Sequence, residues 1–180
     1  MRKKTAFTVL LVLTALALSV SGVFAQGVVR VFPFAGEQVT LEQGEQIQLF
    51  WFWSATTKGL VRVYLNHYSA SIAVIDEDGV TVWSMSPEEA DQYWGPIETF
   101  PVPPGGDWDC AKPTGSSVGW EYTIPLNLSP GDYTLVLTER FEQPVNDGWH
   151  TCTWMGEPGA PTPSLYRGTA SYETMITVNP

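Results

Sequence analysis

The sequence predicts an all-β fold, a two-sheet antiparallel β-sandwich, on three observations. Strand-period alternation recurs along the chain, turn residues separate the runs at close spacing, and no run of ten or more residues carries a convincing helical period. The clearest alternation spans residues 120–138. Trp120, Tyr122, Ile124, Leu126 and Leu128 occupy alternate positions, with Glu121, Thr123, Pro125 and Asn127 between them, the period of a half-buried strand. Ser129-Pro130-Gly131-Asp132 then turns the chain, and Tyr133, Leu135 and Leu137 resume the pattern.

The remaining elements follow from the N-terminus. Residues 28–34 form a short β-branched and aromatic run interrupted by Pro33, which suits an edge strand. Residues 38–42 and 46–53 read as two strands joined by Gln43-Gly44-Glu45. The second ends apolar on both faces, through Phe50, Trp51, Phe52 and Trp53, as a central strand does. Residues 60–66 read as a strand in which Val61, Val63 and Leu65 oppose Arg62 and Tyr64. A turn at 67–70 leads to a hairpin of 71–76 and 80–84 around Glu77-Asp78-Gly79. Ser86-Pro87-Glu88-Glu89 carries a cap, a proline at the first helical position and early acids, enough for one or two helical turns within a long segment, 86–119. A second long segment spans 141–167, and the last strand runs over 168–178.

Residues 1–25 read as a secretory signal peptide: Arg2, Lys3 and Lys4, an apolar run over 6–20, then Val23-Phe24-Ala25 before a cut at Gln26. The run is shorter than the ~20 residues a membrane helix needs, so the expectation is cleavage, no membrane insertion afterwards, and a secreted, extracellular or periplasmic product. Neither a lipid-bearing cysteine at the cut nor a C-terminal anchor is evident. Residues 26–180 are then a single domain with six basic and nineteen acidic side chains, a net charge of minus thirteen. That balance speaks against nucleic acid and anionic membrane as partners and accommodates calcium, cationic partners or simply a soluble extracellular surface.

An exported chain with two cysteines is expected to join them, Cys110 to Cys152, at roughly 4 kcal/mol of chain-entropy stabilisation for a loop of this length. Two antiparallel strands separate the connections that hold the cysteines, so both connections should emerge at one end of the molecule. The bridge would tie the two long loops together opposite the 128–133 corner.

Leu128-Ser129-Pro130-Gly131-Asp132-Tyr133 resembles the tyrosine corner of immunoglobulin-like and fibronectin-like domains. The resemblance implies an Ig-like sandwich in which the Tyr133 hydroxyl bonds back to backbone, with Leu128 and Gly131 shaping the corner. It departs from antibody domains in lacking cysteines on the two central strands.

Candidate chemistry gathers on the long loops. Tyr93, Trp94, Trp108, Trp149 and Trp154 lie among Asp91, Asp107, Asp109, Asp147 and His150, the aromatic and carboxylate mixture of a sugar-binding surface. The competing reading packs those rings into a small core over the end of the sandwich. Asp107 and Asp109, and Asp76-Glu77-Asp78, are the candidate calcium ligands, without a recognised loop spacing; no other cofactor is implied. No Gly-x-Ser-x-Gly occurs, and His67 and His150 cannot make a histidine-rich metal site, so a non-enzymatic role is expected. Three functions follow: a structural or protein-interaction module of the cell surface or an extracellular assembly, a carbohydrate-binding module using the loop tryptophans, and a loop-presenting inhibitor of an extracellular protease. The partner is accordingly an unidentified protein or glycan.

Overall fold

The computed structural model describes residues 27–34, 36–102, 108–109, 114–154, 157–158 and 165–180. In chain order the elements are β1 (Val28–Val31), β2 (Gln38–Glu42), β3 (Gln46–Ala55), α1 (Lys58–His67), β4 (Tyr68–Asp76), β5 (Thr81–Met85), α2 (Pro87–Ala90) and a 3-10 turn at Asp91–Tyr93. There follow β6 (Glu98–Pro101), β7 (Trp108–Asp109), β8 (Thr114–Thr123), β9 (Gly131–Asn146), a 3-10 turn at Trp149–Thr151, β10 (Thr153–Trp154), β11 (Glu157–Pro158) and β12 (Leu165–Asn179). The fold is mostly β, as the alternation requires. One sheet has the order β1-β3-β8-β6, another β2-β12-β9-β4-β5, and a small third sheet β11-β10-β7.

The two large sheets bury their inner rows in one hydrophobic cluster. It takes Leu49 and Trp51 from β3, Val118 and Trp120 from β8, Ile72 and Val74 from β4, Leu135 and Leu137 from β9, and Ile176 and Val178 from β12. At its centre the Trp51 and Trp120 rings stack with centroids 3.8 Å apart. The Trp120 indole N–H donates to the Ala90 carbonyl at 2.7 Å, so a fully buried ring also holds the end of α2 in place.

At residues 124–131 the chain passes from β8 to β9. The chain leaves β8 after Thr123, where Ile124 N–H still reaches the Ile47 carbonyl at 2.9 Å. Pro125 has no N–H to continue the ladder, yet Ile124 and Leu128 stay buried, so the alternation survives while the strand ends. Gly131, at φ 151°, admits the chain to β9, and the Tyr133 hydroxyl donates to the Ser129 carbonyl at 3.0 Å. The predicted cap on α2 is also present: Ser86 Oγ accepts from Glu89 N–H at 3.3 Å while Glu89 accepts from Ser86 N–H at 2.8 Å. Those hydrogen bonds hold the Glu89 carboxyl below its ordinary range.

Three expectations are corrected. Residues 60–66 are helical, not a strand, so a ten-residue helical segment does exist. Val61, Tyr64, Leu65 and Tyr68 satisfy the i, i+3, i+4, i+7 spacing as well as the alternation, and Thr57 caps the helix by accepting from Leu60 N–H at 3.3 Å. His67 ends this helix instead of lying in a turn, and β4 begins immediately after it.

The second correction is to the wholly antiparallel sheets. β1 pairs with β3, and β2 with β12, in parallel, because the chain breaks at Pro33 and Gly36 and gives one short strand to each sheet. Third, the long segments are not structureless: β6 fills part of the first, and β9 continues through Asn146, well past Arg140. Among the described residues no helix is long and apolar enough to cross a membrane. The predicted signal peptide lies outside the described residues.

Candidate functional site

The outward row of the four-stranded sheet, opposite the core, is where a recognition surface takes shape. On β3 the inward positions are Ile47, Leu49 and Trp51, which leaves Phe50 and Phe52 facing out. Phe52 is 65 % exposed. Its register partner on β8 is Gly119, which offers no side chain to cover it, and a Cβ at Gly119 would meet nothing within 4 Å.

Beside this bare strip runs a groove of about 260 Å³ lined by Tyr93, Gly95, Pro96, Glu98, Ser117, Gly119 and Glu121. The local sequence builds it in steps. The capping box starts α2, the 3-10 turn brings Tyr93 and Trp94 onto β8, and Gly95 N–H donates to the Gly119 carbonyl at 2.9 Å. Glu98 then enters β6 opposite Ser117.

Tyr93, 40 % exposed, stands on the rim with its ring 4.5 Å from that of Tyr122 and 6.1 Å from that of Trp120. Burial first, and then the neighbouring Tyr93, push the Tyr122 hydroxyl above its ordinary pKa. Glu121 pairs with Arg30, whose guanidinium also sits 4.3 Å above the Phe50 ring. Both partners are more than half exposed, so the pair contributes little to stability and serves to orient the carboxylate. Glu98 has no cationic partner among the described residues. The surface thus offers apolar ring area flanked by carboxylate and hydroxyl acceptors.

The predicted site residues are distributed differently. Tyr93 reaches the groove. Trp94 turns into the core edge, with ring centroids 5.9 Å from Trp51, 5.5 Å from Tyr64 and 5.8 Å from Tyr68. Trp149 is half-buried: its indole N–H donates to the Ser54 carbonyl at 3.1 Å, and its ring stacks on Phe100 at 6.1 Å. Asp147 is buried and organises that corner, accepting from Trp149 N–H at 2.9 Å and from the Tyr166 hydroxyl at 3.1 Å. Burial, followed by the Asp147 carboxylate, raises the Tyr166 hydroxyl to about 12.

Trp108 and Trp154 are brought together as direct register partners of β7 and β10, with Asp109 opposite Thr153. The two long loops are therefore joined through backbone immediately beside the cysteine positions. Cys152 is buried, and no cysteine among the described residues is free. Cys110 and Asp107 lie outside the described residues.

Of the calcium candidates, Asp76 is occupied in its own turn. Asp76 Oδ1 accepts from the backbone N–H of Asp78 at 3.1 Å and of Val80 at 2.8 Å, closing the hairpin turn. Among the described residues no three His, Cys, Asp or Glu side chains gather as a metal site.

Phe52, Glu98, Ser117 and Gly119 were not legible as site residues. Phe52 sits in the Phe50-Trp51-Phe52-Trp53 run, which reads as buried on both faces. The available signal was Gly119, a glycine within a strand, which leaves its position on the sheet face without a side chain.

The chain matches no family model, and comparison with characterised proteins and with solved structures finds no match.

Proposed function

We propose that the chain is a secreted, non-enzymatic β-sandwich binding module whose recognition surface is the outer face of the four-stranded sheet, with a carbohydrate as the ligand that face suits best. The observation that carries this reading is the placement of the exposed Phe52 ring over bare Gly119, beside a groove containing Tyr93, Glu98, Ser117 and Glu121. Sugar rings present C–H patches to aromatic side chains and hydroxyls to carboxylate and hydroxyl acceptors, and the groove supplies both. Its volume falls below the ~300–1,000 Å³ of sites for drug-sized ligands, which suits one or two sugar rings of a longer chain. This moves the sugar-binding hypothesis from the loop tryptophans to the sheet, with Tyr93 common to both.

The immunoglobulin-like reading draws support from the strand orders and from the corner at which the chain passes from one sheet to the other. Within it, Cys110 is bonded to Cys152, and the Asp109–Thr153 register favours that pairing. A protein-interaction or structural role is the second reading. It is favoured by β12, whose residues 165–174 have a strand neighbour on one side only among the described residues.

A glycan array probed with the mature chain and with Phe52→Ala tests the proposal. Binding to a defined set of glycans, lost in the variant without loss of folding, is expected. Equal binding by the variant, or no glycan bound at all, would move the assignment to the protein-interaction role.

A further inference from the structure

Two glycines stand on the outward row of β8, Gly115 and Gly119, and their surroundings differ. A Cβ on Gly115 would stand 2.5 Å from the Phe100 ring and 2.7 Å from the Trp149 ring, so two rings of the chain itself lie on that position. They stack with centroids 6.1 Å apart, and the Trp149 indole N–H is fixed to the Ser54 carbonyl. Gly119, on the same row, has nothing within 4 Å of the place where its Cβ would be. Its φ is not positive, so backbone conformation does not demand glycine there.

The bare position is the middle of the groove. On one side Phe50, Phe52 and Ser54 of β3 are the register partners of Glu121, Gly119 and Ser117. On the other, residues 93–98 run antiparallel to β8: Trp94 bridges Trp120, Gly95 N–H donates to the Gly119 carbonyl at 2.9 Å, and Glu98 pairs with Ser117. Gly95 carries no side chain either, so the floor is backbone flanked by the Phe52 and Tyr93 rings. From Ser117 to Glu121 this floor is about 13 Å long at ~3.3 Å per residue.

Its two ends are unlike. Beyond Ser117 and Glu98 the next outward residues are Gly115 and Phe100, and there the Phe100 ring, braced by Trp149, stands on the strand as a step. At the far end Glu121 is held by Arg30, and both side chains are more than half exposed. A ligand lying on Gly119 therefore meets a stop in one direction and solvent in the other. The lining has two carboxylates and no basic side chain, which disfavours acidic sugars.

We infer that the groove takes the terminal unit of a neutral glycan chain, its ring over Gly119 between Phe52 and Tyr93, halted at the Ser117–Glu98 row, with the rest of the chain leaving past Glu121. This rests on the sheet-face reading and narrows it from a glycan to a chain end. The Phe100 and Trp149 rings on Gly115 are the protein's own version of the contact, a ring laid on a glycine between two strands. The chemistry at the stop points the same way. A terminal unit carries a free hydroxyl where an internal unit carries a glycosidic ether oxygen. Glu98, with no cationic partner among the described residues, is acceptor-only when ionised and so bonds the hydroxyl but not the ether. An internal unit on Gly119 would also drive its neighbour into Phe100.

The experiment uses the mature chain with cellohexaose, xylohexaose, mannohexaose, chitohexaose and maltohexaose, each beside its shorter oligomers and its parent polymer. Calorimetry gives affinity against length. Competition by the polymer before and after partial hydrolysis, at constant mass, separates chain ends from internal units. Binding of at least one series is expected, with affinity level from the trisaccharide upward and with hydrolysis raising the competing power of the polymer in proportion to the ends created. Gly119→Leu places a side chain in open space on a strand that glycine weakens, so it should hold the parent's Tm while weakening this binding at least ~10-fold. Affinity that keeps rising with length, competing power that falls on hydrolysis, unchanged binding by Gly119→Leu, or no neutral series bound would each overturn the inference. The sheet-face proposal is judged separately by the glycan-array signal of Phe52→Ala: its loss, together with any of these results, keeps the face and removes only the chain-end assignment.

Discussion

Replacing Trp120 with Phe probes the centre of the fold with the least disturbance of shape. The indole ring is buried, stacks on Trp51 at 3.8 Å and donates its N–H to the Ala90 carbonyl at 2.7 Å. Phenylalanine keeps an aromatic face toward Trp51 but removes the indole bond to the Ala90 carbonyl, which keeps its place as the cap of the 3-10 turn, at a cost of about 0.5–1.5 kcal/mol. Roughly 40 Å³ of unfilled space at about 24 cal/mol per Å³ adds about 1 kcal/mol. The expected loss is therefore about 1.5–2.5 kcal/mol, or ~3–10 °C in Tm for a domain of this size. Urea and thermal unfolding measure it. Amide exchange at Gly95, whose N–H bonds to Gly119, should rise as the 86–97 segment loosens from β8. A loss below ~0.5 kcal/mol, the ordinary cost of a neutral surface change, would refute the reasoning that the indole nitrogen ties the segment to the core.

Three further outcomes follow from the same geometry. Tyr133→Phe removes one exposed hydrogen bond, to Ser129, and should cost about 0.5–1.5 kcal/mol in denaturant unfolding; no change would mean the corner is held by packing alone. Because burial raises the Glu139 pKa in the folded chain, the native state binds a proton more tightly than the unfolded one, so this group's contribution to stability falls as pH rises between the unfolded and folded values. Glu139→Gln should remove that slope and hold or raise the Tm at pH 7; a lower Tm at pH 7 would show the carboxylate to be stabilising. Non-reducing peptide mapping of the exported chain should recover Cys110 joined to Cys152, and two alkylatable thiols would contradict the stapled-loop account.

The strands with clean alternation were legible because one buried face imposes period two on them, as in Trp120, Ile124 and Leu135. The corner was legible because Pro130, Gly131 and Tyr133 each have a local conformational reason. Helix α1 was not, since Val61, Tyr64 and Leu65 fit both periods and tertiary packing of Tyr64 under Trp53 settles the choice. The parallel pairings were invisible because register between distant strands leaves no local trace. Of the candidate site, Tyr93 was legible as an aromatic beside acids. Phe52 was not, because its exposure depends on its neighbour Gly119, which lies far away in sequence.

The proposed recognition face is the one that carries Phe52 and Gly119. Amide chemical-shift mapping of the mature chain, titrated with the tightest glycan from the array, tests it most directly. Saturable shifts are expected at Phe52, Tyr93, Glu98, Ser117 and Gly119, with residues 165–172 and the Trp149 loop unmoved. Shifts centred on the Trp149 loop or the β12 edge, with Gly119 silent, would contradict it.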